Sequence, residues 1–299
     1  MPIRIGTGES GGTFNTQGLA LKAALERTPR LPPIEVVESR AAVSIENAVR
    51  LDAGEIEFGI ISAPWVASAA QGRHPFDHPI DLRVAAPMNI GPNFFVARAD
   101  SGLRKVSDLR GRKVAVGMNG GGMAEHAEAV FGALGIGADD VSRIYVDFAE
   151  GAEMLASGEV DAQFQCPIPN RVMTDLSERI PVRVLSYDPP HLEAALKSIP
   201  LDRRIVMRKG AFRGHDEDLP QLGVLNLLVT HARVDADTIR DVVRAIVLAT
   251  SELERLHPLF AGLPELFGMF KDPSRAAEFA GAELHPGAAR AYREMGLLE

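Results

Sequence analysis

The sequence has one cysteine and no long apolar run. Because Cys166 is the only cysteine among 299 residues, an intramolecular disulfide and a cysteine-rich zinc site are both excluded. No apolar stretch reaches the roughly 18 residues that a membrane-spanning helix needs. The sequence therefore predicts a fold without covalent crosslinks and without a membrane span.

The start of the chain does not resemble a secretory leader. The residues "MPIRIG" enter an apolar run directly, without the charged and apolar segments of a signal peptide. We therefore expect either a cytoplasmic protein or one whose leader lies outside this numbering.

Positive charge is also scarce. Lysine and arginine number 32 against 40 acidic residues, which gives a net charge of −8. This balance argues against nucleic acid as a partner, because no basic face compensates a phosphate backbone. It does not exclude an anionic small ligand, since the local field of a pocket can oppose the net charge. The length allows two lobes or one large domain.

Short apolar runs alternate with amphipathic stretches along the chain. Helices are predicted at Asn15–Glu26 and Ala124–Leu134, between runs typical of strands. This alternation predicts an α/β fold rich in parallel strands. The predicted strands are Ile3–Gly6, Ile34–Val37, Phe58–Ile61, Leu82–Ala86, Phe94–Ala97, Lys113–Gly117, Ile144–Val146, Ala162–Gln165 and Val182–Leu185.

An internal repeat indicates two similar lobes. The segment "AVRLDAGEIEFGI" (Ala48–Ile60) aligns with "AEMLASGEVDAQF" (Ala152–Phe164) at an offset of 104 residues. Each copy reads as a short helix closed by glycine, followed by an acidic residue and a strand. A strand and a glycine-rich loop precede each copy. Two such lobes predict a ligand cleft at the carboxyl ends of their strands.

The first glycine-rich loop has two interpretations. Gly6, Gly8 and Gly11 in "RIGTGESGGTF" spell G-x-G-x-x-G, the dinucleotide fingerprint, and Glu38 ends the next strand. The same glycines could form an anion cradle of backbone N–H groups. The connection from Gly6 to Glu38 is longer than a usual dinucleotide unit, which favours the cradle. A phosphate-binding P-loop is excluded, because no Lys-Ser/Thr pair follows either glycine-rich loop.

Other candidate chemistry is weak. His74, Asp77 and His78 lie between prolines, and a solvated turn explains them better than a metal site. The "AEHAE" stretch around His126 reads as the polar face of a helix. Cys166 ends a strand and is either a nucleophile or a small apolar residue packed near the pocket, and we favour the second interpretation. We predict no catalytic residue, no metal site and no cofactor.

Several stretches together resemble one family. They are "IGTGESGGTF", "VSIENAVRLDAGEIEFGI", "NFFVARADSGLRKVSDLRGRKVAVG", "GEVDAQFQCPIPN" and the tail "LHPGAARAYREMG". In this order they resemble the TAXI family, the solute receptors of tripartite (TRAP-type) transporters. The stretch "DLRGRKVAVG" alone is similar to the wider class of type II periplasmic binding proteins.

The resemblance implies a fold, a function and a partner. The fold would be two similar Rossmann-like α/β lobes joined by hinge strands, with the ligand cleft between them. Lobe 1 would comprise 1-95 plus 200-299, and lobe 2 would comprise 96-199. The protein would capture a small organic anion, an amino acid or a di- or oxo-carboxylate such as glutamate, for the membrane permease subunits of a TRAP-type transporter. It would be a periplasmic monomer without enzymatic activity.

The resemblance also implies a set of ligand-binding residues. Donors at helix starts would hold carboxylates, and Arg40 would grip a second carboxylate unless it is a surface charge. Phe14 or Trp65 would cover the apolar part of the ligand, and Ser44 could instead cap its helix. The full set is Thr13, Phe14, Asn15, Arg40, Ser44, Ser62, Trp65, Asn89, Asn93, Asn119, Gly121, Gly122, Gln165, Pro167 and Asn170.

Two other functions remain open at this point. A cytoplasmic lyase or decarboxylase on the same fold would agree with the absent leader and with the polar strand end "QFQCPIPNR". A dinucleotide-dependent oxidoreductase would rest on the first glycine-rich loop alone.

Overall fold

Helices and strands alternate along the chain in the computed structural model, which describes residues 2–29, 31–39, 43–199, 201–269 and 281–299. The strands are β1 (Ile3–Gly6), β2 (Ile34–Val37), β3 (Phe58–Ser62), β4 (Leu82–Arg98), β5 (Lys113–Ala115), β6 (Ser142–Ile144), β7 (Ala162–Gln165), β8 (Val182–Val184), β9 (Arg203–Met207) and β10 (Leu219–His231). The helices are α1 (Thr13–Leu25), α2 (Val43–Ala53), α3 (Ala63–Ala70), α4 (Gly122–Ala133), α5 (Phe148–Ser157), α6 (Arg171–Arg179), α7 (Pro189–Ser198), α8 (Ala236–Leu248), α9 (Thr250–Leu256), α10 (Leu263–Gly268) and α11 (Pro286–Glu294). The predicted α/β class is confirmed.

The chain forms two compact units. Unit 1 consists of Met1–Ser10, Phe14–Ile90 and Leu225–Glu299, and unit 2 consists of Gly11–Thr13 and Gly91–Val224. Strands β4 and β10 each run from one unit into the other. Unit 2 includes residues 200–224, which the family resemblance assigns to the first lobe; the lobe boundaries themselves stay a prediction.

Unit 1 contains a mixed sheet in the order β2-β1-β3-β10. Strand β1 is parallel to both β2 and β3, and β10 is antiparallel to β3. Helix α11 packs closely on α8, since a Cβ at Gly287 would lie 2.1 Å from the Ala236 carbonyl oxygen. Tyr292 of α11 is fully buried, and its hydroxyl donates to the Ala85 carbonyl over 2.8 Å.

Unit 2 contains a second mixed sheet in the order β4-β7-β5-β6. Strand β5 is parallel to β6 and β7, whereas β7 and β8 are antiparallel to β4. Strand β9 pairs with the first half of β10. Phe95 packs against Phe131 and Phe164, with ring centroids 5.3 and 4.6 Å away, at the centre of one core cluster.

The internal repeat is confirmed as a repeated helix–turn–strand structure. Gly54 after α2 and Gly158 after α5 have φ values of 73° and 84°, a conformation that favours glycine. The acidic residue before each strand makes the same two bonds: the Arg4 and Lys113 N–H groups donate to the Glu57 and Asp161 carboxylates over 2.8 Å each. In return the Glu57 N–H donates to the Arg4 carbonyl, and the Asp161 N–H donates to the Lys113 carbonyl.

Strand β4 corrects one prediction. The sequence predicts two strands, Leu82–Ala86 and Phe94–Ala97, whereas the structure has one strand over Leu82–Arg98. Pro87 and Pro92 are compatible with this because proline favours extended backbone. Almost all of the strand is buried, which overrides the turn tendency of its asparagine and glycine residues. Strands β9 and β10 are not among the strands predicted from the sequence.

Candidate functional site

The first glycine-rich loop packs around an asparagine of its own unit. A Cβ at Gly6 would lie 2.5 Å from Asn47 Oδ1, so only glycine fits at the end of β1. Gly11 has a φ of 78°, which again favours glycine. A Cβ at Gly8 would make only ordinary contacts with Val43, at 3.5 Å. Two of the three fingerprint glycines are therefore required by the fold itself, without a dinucleotide.

Asn47 of α2 is buried and bonded on all sides. Its Nδ2 donates to the Thr7 carbonyl over 3.3 Å and to the Ile60 carbonyl over 3.0 Å. Its Oδ1 accepts from Ser39 Oγ over 2.9 Å. This amide ties the ends of β1 and β3 together, and no part of it remains for a ligand.

Other predicted residues of unit 1 make short-range contacts. Ser44 lies within α2 and does not cap it; its Oγ accepts from the Ser62 N–H over 3.2 Å. Asn15 Nδ2 donates to Glu38 Oε1 over 3.3 Å. Trp65 is half-buried, and its ring meets Phe76 edge-on at 6.4 Å. Phe14 is also half-buried, and Arg40 lies outside the described residues.

A buried cluster of three amides is the main polar feature of unit 1. Asn89 Oδ1 accepts from Gln17 Nε2 over 3.0 Å and from Asn226 Nδ2 over 3.4 Å. All three side chains are at most 1% exposed. Asn89 Nδ2 and Gln17 Oε1 have no hydrogen-bonding partner among the described residues. The cluster therefore contains one hydrogen-bond donor and one hydrogen-bond acceptor that have no partner in the described part of the chain.

His257 contacts helix α1, which also carries Gln17 of the amide cluster, and its ring is uncharged. His257 is buried, and burial lowers its pKa to about 4. Its Nδ1 accepts from the Leu259 N–H over 3.3 Å, so the proton lies on Nε2, which donates to Thr16 Oγ1 over 3.0 Å.

Unit 2 has a polar chain that begins on strand β4. Asn93 Nδ2 lies 2.8 Å from His126 Nδ1 on α4, and His126 Nε2 lies 2.8 Å from Asp202 Oδ2. The Asp202 side chain is fully buried. Burial and the Asp202 carboxylate raise the pKa of Tyr187 above its usual range. Asn93 Oδ1 has no partner among the described residues.

A second polar chain follows strand β7. Gln163 Nε2 donates to the Phe148 carbonyl over 2.8 Å, and Gln165 Nε2 donates to Gln163 Oε1 over 2.9 Å. Both glutamines are buried, and Gln165 Oε1 has no partner in the described part of the chain. Gly151 of α5 makes room for this chain, since a Cβ there would lie 2.8 Å from Gln163 Nε2.

The loop after β7 is closed by its own hydrogen bonds. Asn170 is the N-cap residue of α6, with Oδ1 accepting from the Met173 N–H over 2.8 Å. Asn170 Nδ2 and Thr13 Oγ1 donate to the Pro167 carbonyl over 3.3 and 2.6 Å. Cys166 is half-buried and lies 3.5 Å from Asn170 Nδ2. Through the bond of Thr13, the short segment Gly11–Thr13 belongs to unit 2.

The second glycine-rich loop begins α4. Gly121 precedes the helix, and a Cβ there would lie 2.9 Å from the Met118 carbonyl oxygen. Gly122 is the first helical residue, and Asn119 is exposed. The structure thus places the predicted residues in separate groups within the two units.

Five polar residues of these groups are not among those predicted from the sequence. The two glutamines that flank Phe164 carried a local signal, because polar residues two apart in a buried strand point to one face. The others are joined only by tertiary contacts. The missed residues are Gln17, His126, Gln163, Asp202 and Asn226.

No group of three or more histidine, cysteine, aspartate or glutamate side chains in the described ranges is arranged to hold a metal ion. No described helix is long and apolar enough to cross a membrane.

Solved structures of solute-binding proteins share this fold. MatC from Rhodopseudomonas palustris, with bound malate, has a TM-score of 0.61 at 15% identity, over 100% of this chain and 99% of its own. The periplasmic aliphatic sulphonate binding protein SsuA from Escherichia coli has a TM-score of 0.52 at 19% identity, over 98% and 90%. A TctC solute binding protein from Polaromonas has a TM-score of 0.51 at 16% identity, over 85% and 86%.

The predicted periplasmic binding protein fold is therefore confirmed. At these identities the likeness concerns the fold alone. A match of sequence decides membership more directly, and it extends over nearly the whole chain. Residues 5–296 match the NMT1-like family, and the chain belongs to that family.

Proposed function

We propose that the protein is a solute receptor that captures a small organic anion and releases it unchanged to a membrane permease. The observation that carries this proposal is the set of buried amide atoms without partners in each unit, among the residues that the structure describes. The four that we assign to ligand binding are Gln17 Oε1 and Asn89 Nδ2 in unit 1, and Asn93 Oδ1 and Gln165 Oε1 in unit 2; a fifth such atom, Gln221 Oε1 in unit 2, is not assigned to binding. A buried polar atom without a partner costs about 1–3 kcal/mol. A ligand group that pairs with any one of these atoms recovers that cost, so each of them favours binding.

The relatives of the fold support the choice of an organic anion. The MatC structure contains malate, and SsuA is an aliphatic sulphonate binding protein. Both ligands are small organic molecules with a negative charge. The ligand of this chain would, on our proposal, be a carboxylate that accepts a hydrogen bond from Asn89 Nδ2. The candidates Phe14 and Trp65, which belong to the same unit as Asn89, would line the remainder of this site.

The partner and the location follow from the same proposal. The residues that resemble the TAXI family favour the permease subunits of a TRAP-type transporter as the partner, and an extracytoplasmic location. A receptor needs one site and one partner surface, which a monomer supplies. Catalysis plays no part in this function, and the ligand is recovered intact.

A binding screen tests the proposal. We would measure calorimetric binding and thermal unfolding of the full chain with malate, glutamate, 2-oxoglutarate, an aliphatic sulphonate and NAD. An acid present at 100 times its Kd should stabilise the protein by about 2.7 kcal/mol. A carboxylate recovered intact after incubation supports a receptor. A carboxylate that is consumed, or binding of NAD alone, contradicts it.

A matched pair of glutamines separates ligand binding from stability. Gln165 and Gln221 are both buried in unit 2, and each has an Oε1 without a partner among the described residues. Gln221 Nε2 donates to the Leu185 carbonyl over 3.1 Å, and Gln221 is not among the residues that we propose to bind the ligand. We expect Gln165→Leu to weaken binding at least about tenfold, which corresponds to about 1.4 kcal/mol. Gln221→Leu should keep the affinity.

A further inference from the structure

The direction of the amide chain on β7 is fixed by the backbone. A carbonyl oxygen only accepts, so the Gln163 amide must point its Nε2 toward Phe148 O, 2.8 Å away. Its Oε1 then faces Gln165, which must donate through Nε2 over 2.9 Å. Gln165 Oε1 is thereby left as an acceptor. Turning the Gln165 amide round would place oxygen against oxygen.

The chain that begins at Asn93 has the same polarity. The buried carboxylate of Asp202 accepts from His126 Nε2 over 2.8 Å, which places the imidazole proton on Nε2. In the tautomer that carries its proton on Nε2 alone, Nδ1 is an acceptor, and Asn93 Nδ2 donates to it over 2.8 Å. Asn93 Oδ1 is left as an acceptor without a partner in the described structure. His126 is a positioning residue for this oxygen.

Two independent chains of hydrogen bonds thus present oxygen atoms in unit 2. We propose that the ligand carries an N–H or O–H donor beside its acid group and directs it at Asn93 Oδ1 or Gln165 Oε1. This inference rests on the proposed receptor function and narrows its ligand class to hydroxy acids and amino acids. A 2-oxo acid would bring an acceptor oxygen to the same place, and an unsubstituted dicarboxylate would leave the amide oxygens unpaired.

Matched acids test the ligand class. We would measure Kd for L-malate against succinate, and for L-glutamate against glutarate and 2-oxoglutarate. We expect at least one donor-bearing acid to bind about tenfold or more tighter than its partner, because a site built to hydrogen-bond a hydroxyl or ammonium group rejects the analogue without it. Malate against succinate tests a hydroxyl donor, and glutamate against glutarate and 2-oxoglutarate tests an ammonium donor.

The outcomes separate this inference from the proposed function. Equal or tighter binding of succinate, glutarate or 2-oxoglutarate overturns the inference and leaves a receptor of carboxylates. Failure of every acid to bind overturns both. Gln165→Leu should reduce severalfold the ratio between the Kd of the acid without a donor and the Kd of its donor-bearing counterpart. Gln221→Leu should leave this ratio unchanged.

The positions of the protons on the His126 ring can be measured separately from any effect of this residue on stability. The ¹⁵N spectrum of the ligand-free protein reports which ring nitrogens of His126 carry a proton, and the assignment of Asn93 Oδ1 as the free acceptor requires an unprotonated Nδ1. A doubly protonated ring would turn the Asn93 amide and overturn the assignment of its oxygen. His126→Phe keeps a ring against Phe164, whose centroid lies 5.7 Å away, while releasing Asn93. We expect this variant to bring the ratio of Kd values closer to one.

Discussion

The two copies of the repeated motif place an amide at the same position but supply it from opposite elements. In unit 1 the amide belongs to Asn47 on helix α2, and it faces Gly59 on strand β3, whose Cβ would lie 3.1 Å from Asn47 Cβ. At the 104-residue offset, Asn47 corresponds to Gly151 and Gly59 corresponds to Gln163. In unit 2 the glycine is on the helix and the amide is on the strand.

This exchange separates a stabilising amide from a positioning one. Asn47 makes three hydrogen bonds inside unit 1 and offers nothing further. Gln163 uses its donor on Phe148 O and its acceptor on Gln165, where one oxygen remains without a partner in the described structure. A duplicated motif can therefore keep its packing in both copies while only one copy is adapted to hold a group toward a ligand.

The largest effect is expected from Asn47→Ala. The substitution leaves Thr7 O, Ile60 O and Ser39 Oγ without their amide partner in a buried place, and we expect a loss of about 3 kcal/mol in the free energy of unfolding. Urea denaturation measures this. Asn119→Ala, at an exposed position, is the control and should change stability by less than about 0.5 kcal/mol. A loss below about 1 kcal/mol for Asn47→Ala would contradict the stabilising role.

Acid should weaken unit 1 through His257. Its pKa is about 4 in the folded protein against an ordinary value of 6.5, so the unfolded chain binds a proton first as the pH falls. The stability contributed by the uncharged His257 ring is fully present above about pH 6.5 and is lost as the pH falls toward 4, by about 3 kcal/mol in all. His257→Gln should flatten this slope. Hydrogen exchange at about pH 7 and about pH 4.5 would test whether unit 1 loses protection before unit 2; the reverse order would refute the assignment.

A pair of glycine substitutions sharpens the comparison at smaller cost. A Cβ at Gly59 meets Asn47 Cβ, which cannot move away, so we expect Gly59→Ala to cost about 1–2 kcal/mol. A Cβ at Gly151 would lie 2.8 Å from the flexible end of Gln163 and 3.1 Å from Ala115 Cβ. Because alanine is favoured over glycine in a helix by about 1 kcal/mol, which offsets most of this crowding, Gly151→Ala should change stability by less than about 1 kcal/mol. Its effect should appear in ligand affinity instead, because Gln163 no longer holds Gln165. Equal stability losses in the two variants would argue against the distinction.

The smallest effect concerns the two repeated carboxylates. Burial opposes the charge of Glu57, but hydrogen bonds and attraction from Arg4 outweigh it and hold its pKa below the usual range. Its stabilising contribution is present above about pH 4.5 and is lost as the pH falls further. We expect Glu57→Gln to cost about 0.5–1 kcal/mol at about pH 7, and less in about 1 M salt. Asp161→Asn is the matched variant in unit 2, and a loss at Glu57 that is insensitive to salt would count against the ion pair.

Short parallel strands were predictable, and long contacts were not. The bounds of β1, β2 and β7 agree with the sequence prediction, since each is a short apolar run bounded by turn residues. Strand β10 is a longer run, "LPQLGVLNLLVTH", whose periodicity does not distinguish a strand from a buried helix.

The candidate site likewise contains residues that were expected before the structure and residues that only the folded chain reveals. Asn89, Asn93 and Gln165 were implied by the family resemblance, and the structure gives each of them an atom without a partner among the described residues. The contact of His126 with Asp202 joins positions 76 residues apart. No local pattern encodes such a pair, so its part in orienting Asn93 becomes visible only when the chain is folded.

The discontinuity of unit 1 has a consequence for protein synthesis. Unit 2 is almost one continuous segment, Gly91–Val224, so it can complete its contacts while later residues are still being added at the ribosome. Unit 1 must wait, because its core includes α8 and α11 from the other end of the chain. Its early strands thus spend the interval without the strand and helices that will cover them. A nonsense mutation shortly before Tyr292 would remove the tyrosine hydroxyl that bonds Ala85 and leave unit 1 as the half of the protein open to proteases.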